Sequence, residues 1–341
     1  MNDMSIGLSY DDVLLLPKYS DVLSRAEVSL RMDLGADNVL TLGLPIFSSP
    51  MDTVTEESMS IAMSAAGGAG VVHRYNSIYR QVQIIKDCQP IDNVGAAVGV
   101  TGDYIERARA VVEAGANFIC VDVAHGHHVL MKNALEELRK VMPDTHIMAG
   151  NVATLEGVND LYDWGADSAR CNIGGGSICS TRIQTGHGLP GLETIFRCSQ
   201  TDRPISIIAD GGIRNAGDIV KALAAGADAV MCGSLFSGTA ETPGEIFEEE
   251  NNTWKTYRGM ASKEAQMDWK GGYSSFEGVS SRVPYRGHVD RILFDLDKNI
   301  RSGLSYSGAR NIPEFQSVAE FIQQTSAGAV ESAPHIKRRK W

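Results

Sequence analysis

The chain has 341 residues, of which 43% are hydrophobic and 21% charged, and its formal net charge at pH 7 is −11. This composition is typical of a globular protein with a substantial core, and the negative charge argues against non-specific binding to nucleic acids or anionic membranes. No apolar run is long enough to span a membrane, and no signal peptide is visible. None of the six cysteines forms a CxxC pair or a zinc-like spacing, so we expect a reduced, cytoplasmic protein.

Eight short apolar segments alternate with helical segments along the chain, and several of them are apolar on both faces, as buried parallel strands require. The predicted strands are Pro45–Pro50, Gly68–His73, Asn93–Val100, Phe118–Ala124, His146–Val152, Ser168–Gly174, Ser206–Gly212 and Ala229–Leu235. The predicted helices are Glu56–Ala66, Ile78–Asp87, Tyr104–Ala114, His128–Met142, Leu155–Trp164 and Gly217–Ala225.

One helix-to-strand unit recurs as EAGANF (113–118), DWGADSA (163–169) and AAGADAV (224–230). Each copy is a helix end, a C-cap glycine and a strand start. This recurring unit, and eight strand segments in one chain with no obvious switch point, favour an α/β fold of the closed (β/α)₈ TIM-barrel type over a doubly wound open sheet. We expect one catalytic domain over residues 1–326, with a long flap at about 240–290 after strand 8. Residues 327–341, which include KRRK, are expected to form a disordered basic tail.

The active site of such a barrel lies at the carboxyl ends of its strands. Here those ends bring together Ser48–Asp52, Asp122, Asn151, Asp210 and Gly233–Ser234, together with the glycine loop after strand 6. Glycines after strands 7 and 8 match the usual phosphate site of these barrels, where backbone N–H groups bind the anion. The alternative is that they only form tight turns.

The glycine loop, CNIGGGSICSTRIQTGHG (171–188), presents a single thiol, Cys179. A thiolate at this place could attack an electrophilic carbon, and Thr181 could position water or a leaving group. The alternative is a buried, inert cysteine, which the polar neighbours of Cys179 disfavour. The glycine carbonyls could also bind a monovalent cation.

Two features beside this loop allow more than one interpretation. His125, His127 and His128 resemble a metal cluster, but adjacent loop histidines without a carboxylate at metal spacing are more typical of solvated or ligand-stacking residues. Asp122 could accept hydrogen bonds from ribose hydroxyls or could cap the following helix.

Seven motifs occur in one order over residues 8–316: SSPMDTV, AGNVAT, GGGSICSTR, IADGGIR, GSLFSGT, YRGMAS and RSGLSYSGA. With them the chain resembles the IMP dehydrogenase/GMP reductase family. The resemblance implies that Cys179 attacks C2 of a purine nucleotide to form a thioimidate, and that a hydride passes between C2 and a nicotinamide. It also implies a small-molecule nucleotide substrate (GMP or IMP) and a homotetramer.

The resemblance assigns further residues by position. The implied substrate-binding residues are Ser49, Met51, Ser177, Asp210, Gly212, Gly233, Ser234, Tyr257, Gly259, Met260 and Glu277. The implied cofactor-binding residues are Asp122, Ala124, His125, Gly126 and Asn151, and the carbonyls implied to bind potassium belong to Gly174, Gly176 and Cys179.

The two branches of the family differ in the flap. In dehydrogenases an arginine of the flap activates water, but Ala261–Ser281 contains no arginine. The resemblance therefore implies a GMP reductase that uses NADPH, with Thr181 and Glu264 protonating the leaving amine. The alternatives are a compact IMP dehydrogenase using NAD, since AHGHH is dehydrogenase-like, and a non-catalytic nucleotide-binding barrel. A regulatory insertion between Ile78–Asp87 and the third strand is absent.

Overall fold

The barrel is closed by eight parallel strands that follow one another in chain order. The computed structural model describes residues 5–249, 251–273 and 276–334. The barrel strands, numbered 1 to 8, are Ile46–Ser48, Ala69–Val72, Val94–Val98, Phe118–Asp122, His146–Val152, Ser168–Cys171, Ser206–Asp210 and Ala229–Cys232. Strand 8 pairs with strand 1, so the predicted (β/α)₈ barrel is confirmed.

All six predicted helices are present, and each of their ends lies within one residue of the prediction. The helices are Glu57–Ala65, Ile78–Asp87, Tyr104–Glu113, Val129–Val141, Leu155–Asp163, Thr181–Thr185, Gly191–Cys198, Ala216–Ala224, Lys263–Lys270, Val289–Ser305, Ile312–Val318 and Ser326–Glu331. Short 3₁₀ turns occupy Tyr10–Asp12 and Arg25–Glu27. No described helix combines the length and apolarity needed to cross a bilayer.

The repeated helix-to-strand unit ties neighbouring strands together at the amino-terminal end of the barrel. Its glycines, Gly115, Gly165 and Gly226, have φ of +112°, +111° and +106°, a region that glycine enters without steric cost. The side chains of Asn117, Asp167 and Asp228 accept hydrogen bonds from the backbone N–H groups of Val94, Ile147 and Ile207 at 2.9, 2.7 and 2.7 Å. The repeat therefore encodes both the helix end and the link to the preceding strand.

The predicted flap is more regular than its polar composition suggests. An antiparallel sheet of Phe247–Glu249, Asn252–Arg258 and Ser280–Pro284 forms its base. Helix Lys263–Lys270 lies between the second and third of these strands in the chain. Most residues of the third strand are exposed, so an apolar alternation that would reveal it is missing.

Two further strand pairs lie outside the barrel. Met32–Leu34 pairs with Leu40–Leu42, and Val13–Leu15 pairs with Phe321–Gln323. Thr325 then caps helix Ser326–Glu331, so part of the segment expected to be disordered is helical. The KRRK stretch lies outside the described residues, and the prediction of a disordered tail there stays a prediction.

Candidate active site

A cleft opens at the carboxyl ends of the barrel strands and is covered on one side by the flap. It is lined by most residues that the sequence predicts, namely Ser49, Met51, Asp122, Ala124, Asn151, Gly174, Gly176, Ser177, Cys179, Thr181, Asp210, Gly212, Gly233, Ser234, Tyr257, Gly259, Met260 and Glu277. Three predicted residues, Glu264, His125 and Gly126, are not part of this lining.

Cys179 is the half-buried cysteine of this chain, whereas the other five are buried. Its Sγ lies 3.1 Å from the Thr181 Oγ1, and this hydroxyl donates a hydrogen bond of 2.7 Å to the Glu277 Oε2. Burial raises the pKa of Cys120 to about 12, so that thiol stays protonated and inert. The accessible thiol is thus the one joined through a hydroxyl to a carboxylate, which allows a proton to move along the three side chains.

The flap places Glu277 beside the thiol through backbone pairing. The Val279 N–H donates to the Ile178 carbonyl at 3.0 Å, and the Ser180 N–H donates to the Glu277 carbonyl at 2.9 Å. Cys179 and Gly278 form an antiparallel bridge between these two hydrogen bonds. The glycine loop and the flap are therefore built as one unit around the thiol.

The structure places Glu264, for which the resemblance implies a proton-transfer role, outside the lining of the cleft. It is exposed on helix Lys263–Lys270, whose inward face carries Ala265 and Gln266. Ser262 caps this helix, and Glu264 follows the cap by two residues on the exposed side of the first turn. Glu277, which the sequence assigned to substrate binding, is the carboxylate that contacts Thr181.

A buried arginine that the sequence analysis missed joins the two carboxylates of the barrel mouth. Arg170, on strand 6, contacts Asp122 Oδ1 at 2.6 Å and Asp210 Oδ2 at 2.7 Å. Burial by itself would lower the pKa of the guanidinium, but the charges of both carboxylates outweigh it and hold the pKa well above its usual value. Asn151 also donates to Asp210 at 2.7 Å. An arginine inside an apolar strand was the signal that could have revealed this network.

The network also bears on the helix-capping interpretation of Asp122. Helix Val129–Val141 is capped by His128, whose Nδ1 accepts from the Leu130 N–H. Asp122 is paired with Arg170 instead, so the capping alternative is wrong. The His127 Nε2 lies 2.8 Å from the Asp160 Oδ2. His127 and His128 therefore contact different partners and do not share one ligand site.

The glycines after strands 7 and 8 lie beside polar side chains that converge on one spot. Gly211 and Gly212 have φ of +83° and +76°, so they also satisfy the tight-turn interpretation. A Cβ on Gly233 would lie 3.1 Å from the Tyr257 hydroxyl, which shows how closely this tyrosine approaches the backbone. Burial raises the pKa of Tyr257 to about 12, and the nearby side chains of Ser177 and Ser234 oppose this shift. The geometry suits a phosphate bound by N–H and O–H groups.

The opposite side of the cleft contains polar atoms suited to a nicotinamide cofactor. Arg74 and Tyr75 line it, although neither was predicted. The Arg74 Nε is buried and, within the described part of the chain, has no hydrogen-bond partner; the nearest Asp122 oxygen is 3.9 Å away. A buried donor without an acceptor is costly, so these residues fit a polar cofactor group.

The fold and this rim are those of an α/β-barrel enzyme with a thiol at the end of strand 6. A family model described as "IMP dehydrogenase / GMP reductase domain" matches residues 7–335. The chain therefore belongs to the IMP dehydrogenase/GMP reductase family, whose members are oxidoreductases of purine metabolism that use a nicotinamide cofactor.

Curated relatives include inosine-5′-monophosphate dehydrogenases. The protein from Nitrosopumilus maritimus (strain SCM1) is 33% identical, with 96% of this chain and 98% of the relative covered. That from Bacillus subtilis (strain 168) is 32% identical, with 96% and 95% covered. A solved structure of a GMP reductase variant from Trypanosoma brucei in complex with guanosine 5′-monophosphate matches with a TM-score of 0.92 and 29% identity, covering 97% of this chain and 98% of that one.

The relatives are longer than this chain. The alignment with the Nitrosopumilus protein spans 468 positions, whereas this chain has 341 residues. In the structure, residues 88–93 alone connect helix Ile78–Asp87 to strand Val94–Val98, so no domain is inserted there.

Proposed function

We propose that this protein is a GMP reductase, which converts GMP to IMP and ammonia with NADPH. The hydrogen-bonded series Cys179–Thr181–Glu277 carries the proposal, because it links a nucleophile to a proton carrier. The flap segment that supplies Glu277 has no arginine between residues 261 and 281. Without an arginine there, the flap lacks the base that activates water for attack on C2 in the dehydrogenase branch.

The side chains of Cys179, Thr181 and Glu277 support the following sequence of proton transfers and bond changes. The proton of the Cys179 thiol passes through the Thr181 hydroxyl to Glu277, and the thiolate adds to C2 of the guanine ring. The same proton returns through Thr181 to the exocyclic nitrogen. The bond between C2 and this nitrogen then breaks, ammonia departs, and the purine remains attached to Cys179 as a thioimidate. The reduced nicotinamide, when bound, supplies a hydride to C2. Expulsion of the Cys179 thiolate then releases IMP.

Binding of GMP would use the two sides of the barrel mouth. Asp210 would accept hydrogen bonds from the ribose, and Gly212, Gly233, Ser234 and Tyr257 would surround the phosphate. Asp122 would face the nicotinamide ribose across Arg170. Because Arg170 contacts both carboxylates, it would hold the substrate and cofactor sites at a constant separation.

A second function, IMP dehydrogenase, is favoured by the names of the curated relatives. It would require the Thr181–Glu277 pair to activate water for attack on C2. The absorbance of the reduced nicotinamide separates the two. We expect oxidation of NADPH with GMP and no reduction of NAD with IMP; the reverse result would establish the dehydrogenase, and no change in either would indicate a non-catalytic barrel.

Substitution of the thiol tests the covalent step directly. We expect Cys179→Ala to abolish turnover, while calorimetry still shows binding of GMP. Cys88→Ala is the matched control, because that thiol is buried and burial raises its pKa to about 11. Turnover by the Cys179 variant would refute the thioimidate.

We further propose that the enzyme binds potassium through the carbonyls of Gly174, Gly176 and Cys179 and works as a homotetramer. The Gly176 carbonyl accepts from the Cys179 N–H at 3.1 Å, so a cation there would act on the loop that holds the thiol. Exchange of K⁺ for Na⁺ should lower kcat, and sedimentation should give a mass of four chains. Equal rates in both salts, or a monomeric mass, would contradict these two points.

A further inference from the structure

A fully buried ammonium group lies at the base of the flap, outside the residues assigned so far. Lys255, on flap strand Asn252–Arg258, is only 2% exposed. Its Nζ donates to the carbonyls of Thr239 at 3.1 Å, Ala240 at 3.5 Å and Thr242 at 2.5 Å. Within the described residues no carboxylate forms an ion pair with it.

The surroundings explain how this charge is tolerated. Burial lowers the pKa of the ammonium, and the charge of Glu241 opposes that effect. The Glu241 carboxylate is itself engaged by His288 and by the Val289 N–H, so it does not neutralise Lys255 directly. Three carbonyl oxygens instead satisfy the three N–H donors of the ammonium. The group is thus held as a small monovalent cation would be, by backbone dipoles.

The three carbonyls belong to the segment that continues from the phosphate loop. Gly233 and Ser234 follow barrel strand 8 directly, and residues 239–242 come shortly after them. On the other side, Tyr257 lies two residues after Lys255 on the same strand. Both side chains are buried while Thr256 between them is exposed, so Lys255 and Tyr257 share one face of the strand. The hydrogen bonds of the ammonium therefore connect the strand that carries Tyr257 to the segment that follows Gly233 and Ser234.

We propose that Lys255 is a positioning residue for phosphate recognition, and that it acts through Tyr257 as a built-in monovalent cation. The proposal rests on the phosphate site of the proposed function. The Tyr257 hydroxyl lies close to the backbone at Gly233 and near Ser234 and Ser177, so a small displacement of its strand would move a hydrogen-bond donor away from the phosphate. Asp210, which would bind the ribose, lies at the end of barrel strand 7 and not on this strand, so its position would be unaffected.

Equilibrium binding of GMP and of guanosine, which lacks the phosphate, tests this division. In the variant Lys255→Met we expect GMP affinity to fall about tenfold, the usual size of one lost charge-assisted hydrogen bond, with guanosine affinity unchanged. If Lys255 acts through Tyr257, the double variant Lys255→Met/Tyr257→Phe should bind GMP no more weakly than Tyr257→Phe alone. Equal losses for both ligands, or additive losses in the double variant, would overturn the proposal.

Two further variants guard against a simple folding defect. Lys255→Ala leaves a cavity lined by the three carbonyls, and we expect methylammonium to restore its GMP affinity in a saturable manner. Lys221→Met is the matched control, since the Lys221 Nζ also donates to a backbone carbonyl, that of Tyr10, far along the chain from the flap. Lys221→Met should leave the ratio of GMP affinity to guanosine affinity unchanged. The role of Lys255 would be refuted if methylammonium did not restore GMP binding to Lys255→Ala, or if Lys221→Met changed the ratio as Lys255→Met does. If the wild-type protein binds GMP no better than guanosine, the proposed phosphate site itself fails.

Discussion

The Thr181 hydroxyl lies between a thiol and a carboxylate, and the direction of its hydrogen bond has a consequence for catalysis. It donates to Glu277, so its lone pairs are available to the Cys179 S–H. Glu277→Gln keeps the shape of the side chain but removes its ability to take and return the proton. We expect kcat to fall roughly 10²- to 10⁴-fold with little change in GMP affinity, measured by steady-state kinetics and calorimetry. Glu264→Gln, at an exposed position, should keep full activity; a comparable loss there would restore Glu264 to the mechanism.

Asp228, at the far end of the barrel, is a buried carboxyl that makes the stability of the protein depend on pH. Burial raises the pKa of its carboxyl to about 6, although the hydrogen bond from Ile207 opposes this. The folded protein therefore binds this proton more tightly than the unfolded chain. The resulting stabilisation is complete below the ordinary pKa of aspartate, and it is lost as the pH rises through about 6.

The variant Asp228→Asn tests this dependence, because asparagine already occupies the same place of the repeat at position 117. We expect the free energy of unfolding of the wild type, relative to the variant, to fall by about 2 kcal/mol between pH 4 and pH 7.5. Urea denaturation at both pH values measures it. Asp167→Asn is the contrasting control, since Asp167 pairs with Arg139 at 2.6 Å and its loss should destabilise at neutral pH. A pH-independent difference for Asp228→Asn would contradict the argument.

Helix Lys263–Lys270 connects the flap to the barrel through side chains. Trp269 packs edge-on against Tyr75 with ring centroids 5.5 Å apart, and Asp268 and Asp52 both contact Arg258 at 2.5 Å. Since Tyr75 lines the cleft, the aromatic pair holds the flap over the active site.

We expect Trp269→Ala to raise the KM for NADPH about two- to tenfold, because an aromatic pair of this kind contributes about 0.5–1.5 kcal/mol beyond its buried area. Steady-state kinetics over a range of NADPH concentrations measures the change. The control is Met267→Ala, which alters a residue of the same helix that is 45% exposed. An unchanged KM in the Trp269 variant would show that the helix does not contribute to closure.

The two ends of the described chain pair with each other and pack against the barrel. Val13–Leu15 pairs with Phe321–Gln323, and Phe321 packs against Phe196 of a barrel helix at 5.1 Å. Phe321→Ala should lower the free energy of unfolding by about 1–3 kcal/mol in urea denaturation. Ile322→Ala, at a 49% exposed position of the same strand, should change it by less than about 0.5 kcal/mol. Equal effects would mean that the strand pairing, and not the aromatic contact, joins the ends.

The amino-acid sequence by itself determined the barrel, its eight strands and the loop that presents Cys179. These features are encoded locally, because each signal lies within a short stretch of sequence. The signals are apolar runs of strand length, glycines at helix ends and one glycine-rich turn. The carboxyl-end rule then placed the glycines and Asp210 at one rim without further information.

Only the tertiary structure shows which carboxylate contacts Thr181 beside the thiol and how the charges at the barrel mouth are paired. Thr181 and Glu277 are 96 residues apart, and they meet because backbone pairing docks the flap on the glycine loop. Arg170 and Lys255 are charged residues within strands, and their partners come from other segments of the chain. Such contacts depend on how distant elements pack together. The free energy of that packing depends on several segments at once, so it cannot be inferred from one short stretch of sequence.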